Sequence, residues 1–190
     1  MKNKFLLIAL LSVSVFACVS EPEFSNVPEI GFNDIKVFTK SSEGLLSVSK
    51  VDSVVMSISF RDGDGDLGLT EEDYNAYVKK TGDSIRTFDV DIFISKNGKF
   101  IKSNPADKYG GQLKGGTRAT DQDFRFKKGS KPGPIEGTID YSAKFEYKIF
   151  QGIPNATGKR DTVKFNIKIR DRALNVSNTI ETTPIVIFAN

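Results

Sequence analysis

The feature that most constrains this chain is a hydrophobic period of two that recurs from one end of its body to the other. Val54, Met56, Ile58 and Phe60 alternate with Val55, Ser57 and Ser59. Phe88, Val90, Ile92 and Ile94 alternate with Asp89, Asp91, Phe93 and Ser95, and Val163, Phe165, Ile167 and Ile169 alternate with Lys164, Asn166, Lys168 and Arg170. Phe145, Tyr147 and Ile149 begin a further run. Successive side chains of a strand point to opposite faces, so each run puts one face in a core and the other in water, the habit of antiparallel sheets. Asn97-Gly98, between Ile94 and Phe100, supplies two residues that tolerate positive φ and predicts a two-residue hairpin. Pro184 in the last strand predicts an edge, where a missing N–H costs no ladder bond.

One stretch breaks the period. Thr70 is placed to cap a helix, Glu71, Glu72 and Asp73 fall in its first turn, and Gly82 lies just past its end. The expected fold is all-β, an antiparallel sandwich over residues 33–190 with one short inserted helix.

What the chain lacks narrows its chemistry. It has no histidine, which excludes Ser-His-Asp and Cys-His catalysis and histidine-held zinc or iron. It has no tryptophan, the usual platform for stacking a sugar. Its one cysteine, Cys18, permits no intramolecular disulfide and no thiolate cage.

The beginning reads as an export signal. Lys2 and Lys4 precede an apolar run from Phe5 to Phe16, too short to span a bilayer comfortably, where about 20 residues are needed. Val15, Phe16, Ala17 and Cys18 resemble the lipobox of bacterial lipoproteins, in which the cysteine is acylated and becomes the first mature residue; Phe16 departs from the small or aliphatic residue usual there. The competing reading is an ordinary signal cut nearby, leaving a free thiol. On the lipoprotein reading, residues 1–17 are leader, Cys18 carries the lipid, and residues 18–32, with Pro22 and Pro28, form a tether to the domain. Glu21 and Glu23 resemble the export signal of Bacteroidetes surface lipoproteins, which implies a place in the outer membrane, facing outward. Removing Lys2 and Lys4 lowers the formal charge from +3 to +1, leaving no general attraction to nucleic acid or anionic lipid.

The motif with most chemistry is Asp62-Gly63-Asp64-Gly65-Asp66-Leu67-Gly68. Carboxylates at every second position, separated by glycines, let a loop curl until three oxygens converge. Converged anions repel unless a cation lies between them, and calcium, which takes six to eight hard oxygens in irregular geometry, fits best. The spacing overlaps an EF-hand loop, with Asp73 at its twelfth position, but Leu67 stands where that loop has glycine and a strand precedes it. The alternative is a solvated acidic turn, for which Asp-Gly pairs are common material.

Asp171, Ala173, Asn175 and Ser177 resemble the D-x-A-G-N-x-S turn before the last strand of many bacterial immunoglobulin-like domains, with Leu174 in place of the glycine. If the run ending at Phe60 is the second strand of such a fold, the acidic loop and this turn share one end of the sandwich. Asp62, Asp64, Asp66, Asp171 and Asn175 are then the candidate calcium ligands, with Asp89 a lesser contributor. The competing role for Asp171 is to bond its own turn's backbone.

Other signals are weaker. Lys127, Lys128 and Lys131 near Phe124 and Phe126 read as a solvated strand-turn face rather than a nucleic-acid site. Asp52, Asp83 and Asp161 each begin a three-residue pattern resembling the Bacteroidetes O-glycosylation motif, and Gly110-Gly111 and Gly115-Gly116 lack the strand-then-helix context of a phosphate loop. Two functions compete: a non-catalytic binding or adhesion module for a protein or glycan partner, and a carbohydrate-processing enzyme, or subunit of one, using carboxylate pairs.

Overall fold

The computed structural model describes residues 22–43, 48–83, 85–103, 132–147 and 160–189. Residues 1–17, read from the sequence as a leader, Cys18, the basic cluster around Lys127 and the Gly110-Gly111 and Gly115-Gly116 pairs lie outside the described residues. Two antiparallel sheets face one another. The first joins β1 (Glu29–Glu43), β2 (Val48–Asp62) and β5 (Ile135–Glu146) in the order β1-β2-β5. The second joins β3 (Phe88–Lys96), β4 (Lys99–Ser103), β6 (Thr162–Ile169), β7 (Ile180–Glu181) and β8 (Ile185–Val186) in the order β4-β3-β6, with β7 and β8 both paired to β6. The chain crosses between sheets after β2, β4 and β5, the strand order of an immunoglobulin-like sandwich.

The period-two runs land as expected. Val54, Met56 and Ile58 of β2 are sealed from solvent against Phe88, Ile92 and Ile94 of β3 and Phe165 and Ile167 of β6, all within one core. Fully burying side chains of this size stabilises the fold by about 1.5–3 kcal/mol each. Rings bind the sheets across the core: Phe88 stacks on Tyr141 with centroids 4.7 Å apart, and Phe145 meets Phe165 at 6.1 Å.

Asn97 (φ 49°) and Gly98 (φ 75°) make the tight hairpin between β3 and β4. Pro184 separates β7 from β8 and so divides the edge strand into two short pieces. Helix α1 spans Glu71–Thr81, capped by Thr70 and Asp73 in a reciprocal box and closed by Gly82 at φ 77°. It packs through Tyr74 and Tyr77 onto Leu69 and Ile85, a small core of its own. Glu29–Phe32, in the stretch read from sequence as tether, already belong to β1.

Candidate metal centre

The end of β2 carries the acidic loop to one pole of the sandwich, and the turn after β6 arrives at the same pole. The two segments are joined directly: Leu67 bridges Asp171, the Asp66 carbonyl accepts the Arg172 N–H at 3.0 Å, and Asp66 Oδ2 accepts the Ala173 N–H at 3.2 Å. This is the juxtaposition expected from the strand order.

Within the loop, Asp62, Asp64 and Asp66 bring carboxylate oxygens within 4.8 Å of one another. Asp62 is fully buried and spends Oδ2 on the Asp66 N–H at 3.1 Å, a bond that closes the loop. The Oδ1 atoms of all three aspartates are shielded from water and accept no hydrogen bond. A buried acceptor without a donor costs about 1–3 kcal/mol, more when charged, and a cation among the three carboxylates would offset that cost. The cluster could therefore hold a metal ion, and an all-carboxylate set suits a hard divalent cation better than a soft one. Burial, then the charge of Asp64, push the Asp62 carboxyl up to about 6, and burial followed by Asp171 raises that of Asp66.

The glycines of the motif follow from what presses on the loop. A Cβ on Gly63 would lie 2.4 Å from the Phe24 carbonyl oxygen, and one on Gly65 2.3 Å from that of Gly133. The Gly63 N–H donates to Ser25 O at 2.8 Å and the Gly133 N–H to Asp64 O at 3.3 Å. The segment before β1 and the segment before β5 thus clasp the loop from two sides. Neither contact has a signature in the sequence beyond the glycines themselves.

Asp171 is fully buried beside the loop, and it serves its own turn: Oδ1 accepts the Asn175 N–H and Oδ2 the Asn175 Nδ2–H, both at 2.7 Å. Its charge still raises the carboxyls of Asp62 and Asp66. Asn175 is the donor to that carboxylate through both its backbone and its side chain. Asp89 instead pairs with Lys168 on the outer face of the second sheet, and Asp91 with Lys102. Asp73 is committed to the helix cap and to Arg172 at 3.2 Å, and the Thr70 hydroxyl holds its carboxyl below the usual range. The EF-hand correspondence therefore ends at Asp66.

Leu174, which replaces the glycine of the immunoglobulin-like turn, adopts φ 72° and keeps the turn geometry that glycine would supply. The left-handed conformation costs a branched residue about 1–2 kcal/mol. Leu174→Gly removes that strain while losing roughly 0.5–1 kcal/mol to the freer unfolded chain. Leu174→Gly is thus expected to stabilise the fold by up to about 1 kcal/mol. Chemical denaturation checks this, and a destabilised variant would show that the turn is unstrained.

A buried carboxylate away from this pole carries no signal of its burial in the sequence. Asp52, on the core face of β2 toward the opposite pole, accepts the N–H of Phe188, and its other oxygen has no hydrogen-bond partner. It fastens the end of the chain, where Phe188 turns at φ 56°.

The fold and site together define a class: an all-β immunoglobulin-like sandwich with an acidic, potentially metal-holding loop at one pole. Compared with protein-family models, with curated proteins and with solved structures, the chain matches none.

Proposed function

We propose that this protein is a lipid-anchored lipoprotein of the bacterial outer membrane, of the Bacteroidetes surface type, whose domain binds calcium and acts as a non-catalytic binding or adhesion module. The observation that carries the calcium reading is that Asp62, Asp64 and Asp66 each bring a carboxylate oxygen within 4.8 Å of the others, while the Oδ1 of each is buried without a hydrogen-bond partner. Calcium accepts a shared set of carboxylates without the tight octahedron that magnesium demands. The anchor rests on Lys2, Lys4, the apolar run and the Val15–Cys18 lipobox.

Against an enzyme stands the character of a groove at this pole that presents two carboxylates. It measures about 290 Å³ and is lined by Glu29, Gly31, Ser59, Arg61 and Glu136 among others. Arg61 lies between the two glutamates in the sheet register and binds Glu29 at 2.7 Å. Two carboxylates straddling an arginine do not form the opposed acid and base of glycoside hydrolysis.

Calorimetric titration of the full chain in detergent tests the cation: calcium gives a saturable heat, magnesium a weaker one, and Asp64→Ala none. Equal silence from calcium on the unaltered chain reduces the loop to an acidic turn. Intact mass tests the anchor, which requires acyl mass on Cys18 and its loss in Cys18→Ala.

A further inference from the structure

We infer that the free edge of β5 is a homodimer interface. It pairs antiparallel with the β5 edge of a second copy, in the register centred on Ser142, where Asp140 of each copy opposes Lys144 of the other.

The edge is open along the strand. β5 runs from Ile135 to Glu146 and, among the described residues, pairs with β2 alone. The Tyr147 N–H donates to Lys50 O at 2.8 Å, in register with Val51 opposite Glu146. Hydrogen-bonded and non-bonded residues alternate along an antiparallel pair, so the odd-numbered residues of β5 bond to β2. The N–H and C=O groups of Glu136, Thr138, Asp140, Ser142, Lys144 and Glu146 therefore point away from the sheet. These residues are exposed as well, and a row of such groups is a template for another strand.

The other edges are guarded. Asn178 takes both the N–H and the carbonyl of Ile30 on β1. The register of β1 then shifts between Phe32 and Asp34, and the Ile35 N–H turns to the Asp34 carboxylate. β4 spans only Lys99–Ser103 and carries Lys99 and Lys102, while Pro184 divides β7 from β8. Bulges, shortness, lysine and proline are the devices by which sheets avoid pairing at an edge. β5 has 12 residues, an unbroken register and no proline.

Its charges set the partner. Asp140 and Lys144 stand on the outer face beside the neutral Ser57 and Ser53 of β2, and neither has an ion-pair partner among the described residues. Across a two-fold axis, residue i faces j as j faces i. Centred on Ser142, the pair opposes Asp140 to Lys144 twice and Thr138 to Glu146, and on the core side Tyr141 to Ala143. Centring on Asp140, Tyr141 or Ala143 instead sets Asp140 against itself, Glu136 against Glu146, or Asp140 against Glu146. Opposite charges across a strand pair attract and like charges repel, which selects the Ser142 register. From Thr138 to Glu146 it exchanges about ten backbone hydrogen bonds between the copies. Asp62 stands opposite Ile135 at the start of β5, so the two acidic loops lie at opposite ends of the joined sheet and take no part in the pairing.

Sedimentation equilibrium of the full chain, in density-matched detergent with EDTA, tests the interface. The unaltered chain is expected to show a monomer–dimer equilibrium. Asp140→Lys opposes like charges at both symmetric contacts and is expected to weaken the dimer roughly tenfold or more. Adding Lys144→Asp to that variant exchanges the charges and is expected to restore the dimer to within about threefold. The Ser142 N–H points off the edge, so Ser142→Pro removes no bond to β2 and is expected to abolish the dimer with Tm little changed. Should that variant fail to fold, the charge variants decide alone. An unaltered chain that stays monomeric up to about 1 mM overturns the interface. A dimer unmoved by Asp140→Lys, one that Lys144→Asp fails to restore, or one that persists in folded Ser142→Pro overturns it equally.

Discussion

On the proposed calcium reading, calcium at about a hundred times its dissociation constant is expected to stabilise the fold by about 2.7 kcal/mol, because the unfolded chain has no assembled site to compete with the native loop. For a chain of this size that is roughly 5–10 °C in Tm. Asp64→Ala is the variant that isolates the effect. Asp62 closes the loop through the Asp66 N–H, and Asp66 holds the Ala173 N–H, so their loss also breaks structural bonds. Among the described residues the Asp64 carboxylate accepts no hydrogen bond, and its removal subtracts a ligand and a like charge together. In EDTA, Asp64→Ala should be at least as stable as the unaltered chain; in calcium it should be the less stable by most of the 2.7 kcal/mol. Differential scanning calorimetry in the two buffers reads both differences. An Asp64→Ala chain that calcium still stabilises in full would place the ion elsewhere.

The same loop shows what the sequence could and could not disclose. Carboxylates at alternate positions announce the site, and the parity of β2 and β6 puts Asp171 at the same pole. The clasp around the loop is long-range: Phe24 and Gly133 offer backbone carbonyls, which carry no residue-type signal. The strands divide in the same way. β2, β3 and β6 keep an unbroken period and were legible at once. β1 was hidden because the register shifts between Phe32 and Asp34, so its core side passes from Ile30 to the opposite parity at Ile35 and Val37. Only the end of β5 was visible. Along the parity of its core side stand Ala143 and Gly137, the latter small because the Phe60 ring lies 3.1–3.2 Å from where its Cβ would stand. Asp52 reads as a solvent-facing charge in any hydropathy pattern, yet it is buried with Val54 and Met56 on the core side. Burial of a charge is decided by tertiary partners, here the Phe188 N–H, and those lie far along the chain.

In EDTA, stability should fall as the pH rises from about 4 to about 6, the reverse of ordinary acid denaturation. The sign follows from Asp62. Its folded pKa of about 6 lies above the ordinary 3.8, so between those values the native state holds a proton that the unfolded state has released. Stability then decreases with pH across that window, because the native state is the one binding more protons. At 1.36 kcal/mol for each pKa unit, the loss is on the order of 3 kcal/mol for a group this well buried. Asp66, raised by the same burial and neighbouring charges, contributes with the same sign. Asp34 and Asp73 act oppositely and lower on the scale: their carboxyls are held below the ordinary value, so their contribution is lost only as the pH drops beneath it. On the proposed calcium reading, calcium is expected to invert the slope, since it would compete with protons for the ionised carboxylates and bind more tightly as the pH rises. Asp62→Asn removes the titration while keeping the shape of the side chain, and its amide avoids burying a charge. It should flatten the profile and, at pH 7 in EDTA, leave the variant more stable than the unaltered chain, while costing it the response to calcium. Urea unfolding at half-unit pH steps, with and without calcium, measures all four curves. A profile in EDTA that is level or rises between pH 4 and 6, unchanged by Asp62→Asn, would mean that Asp62 is ionised at no cost in the native loop, with its charge met by some other group.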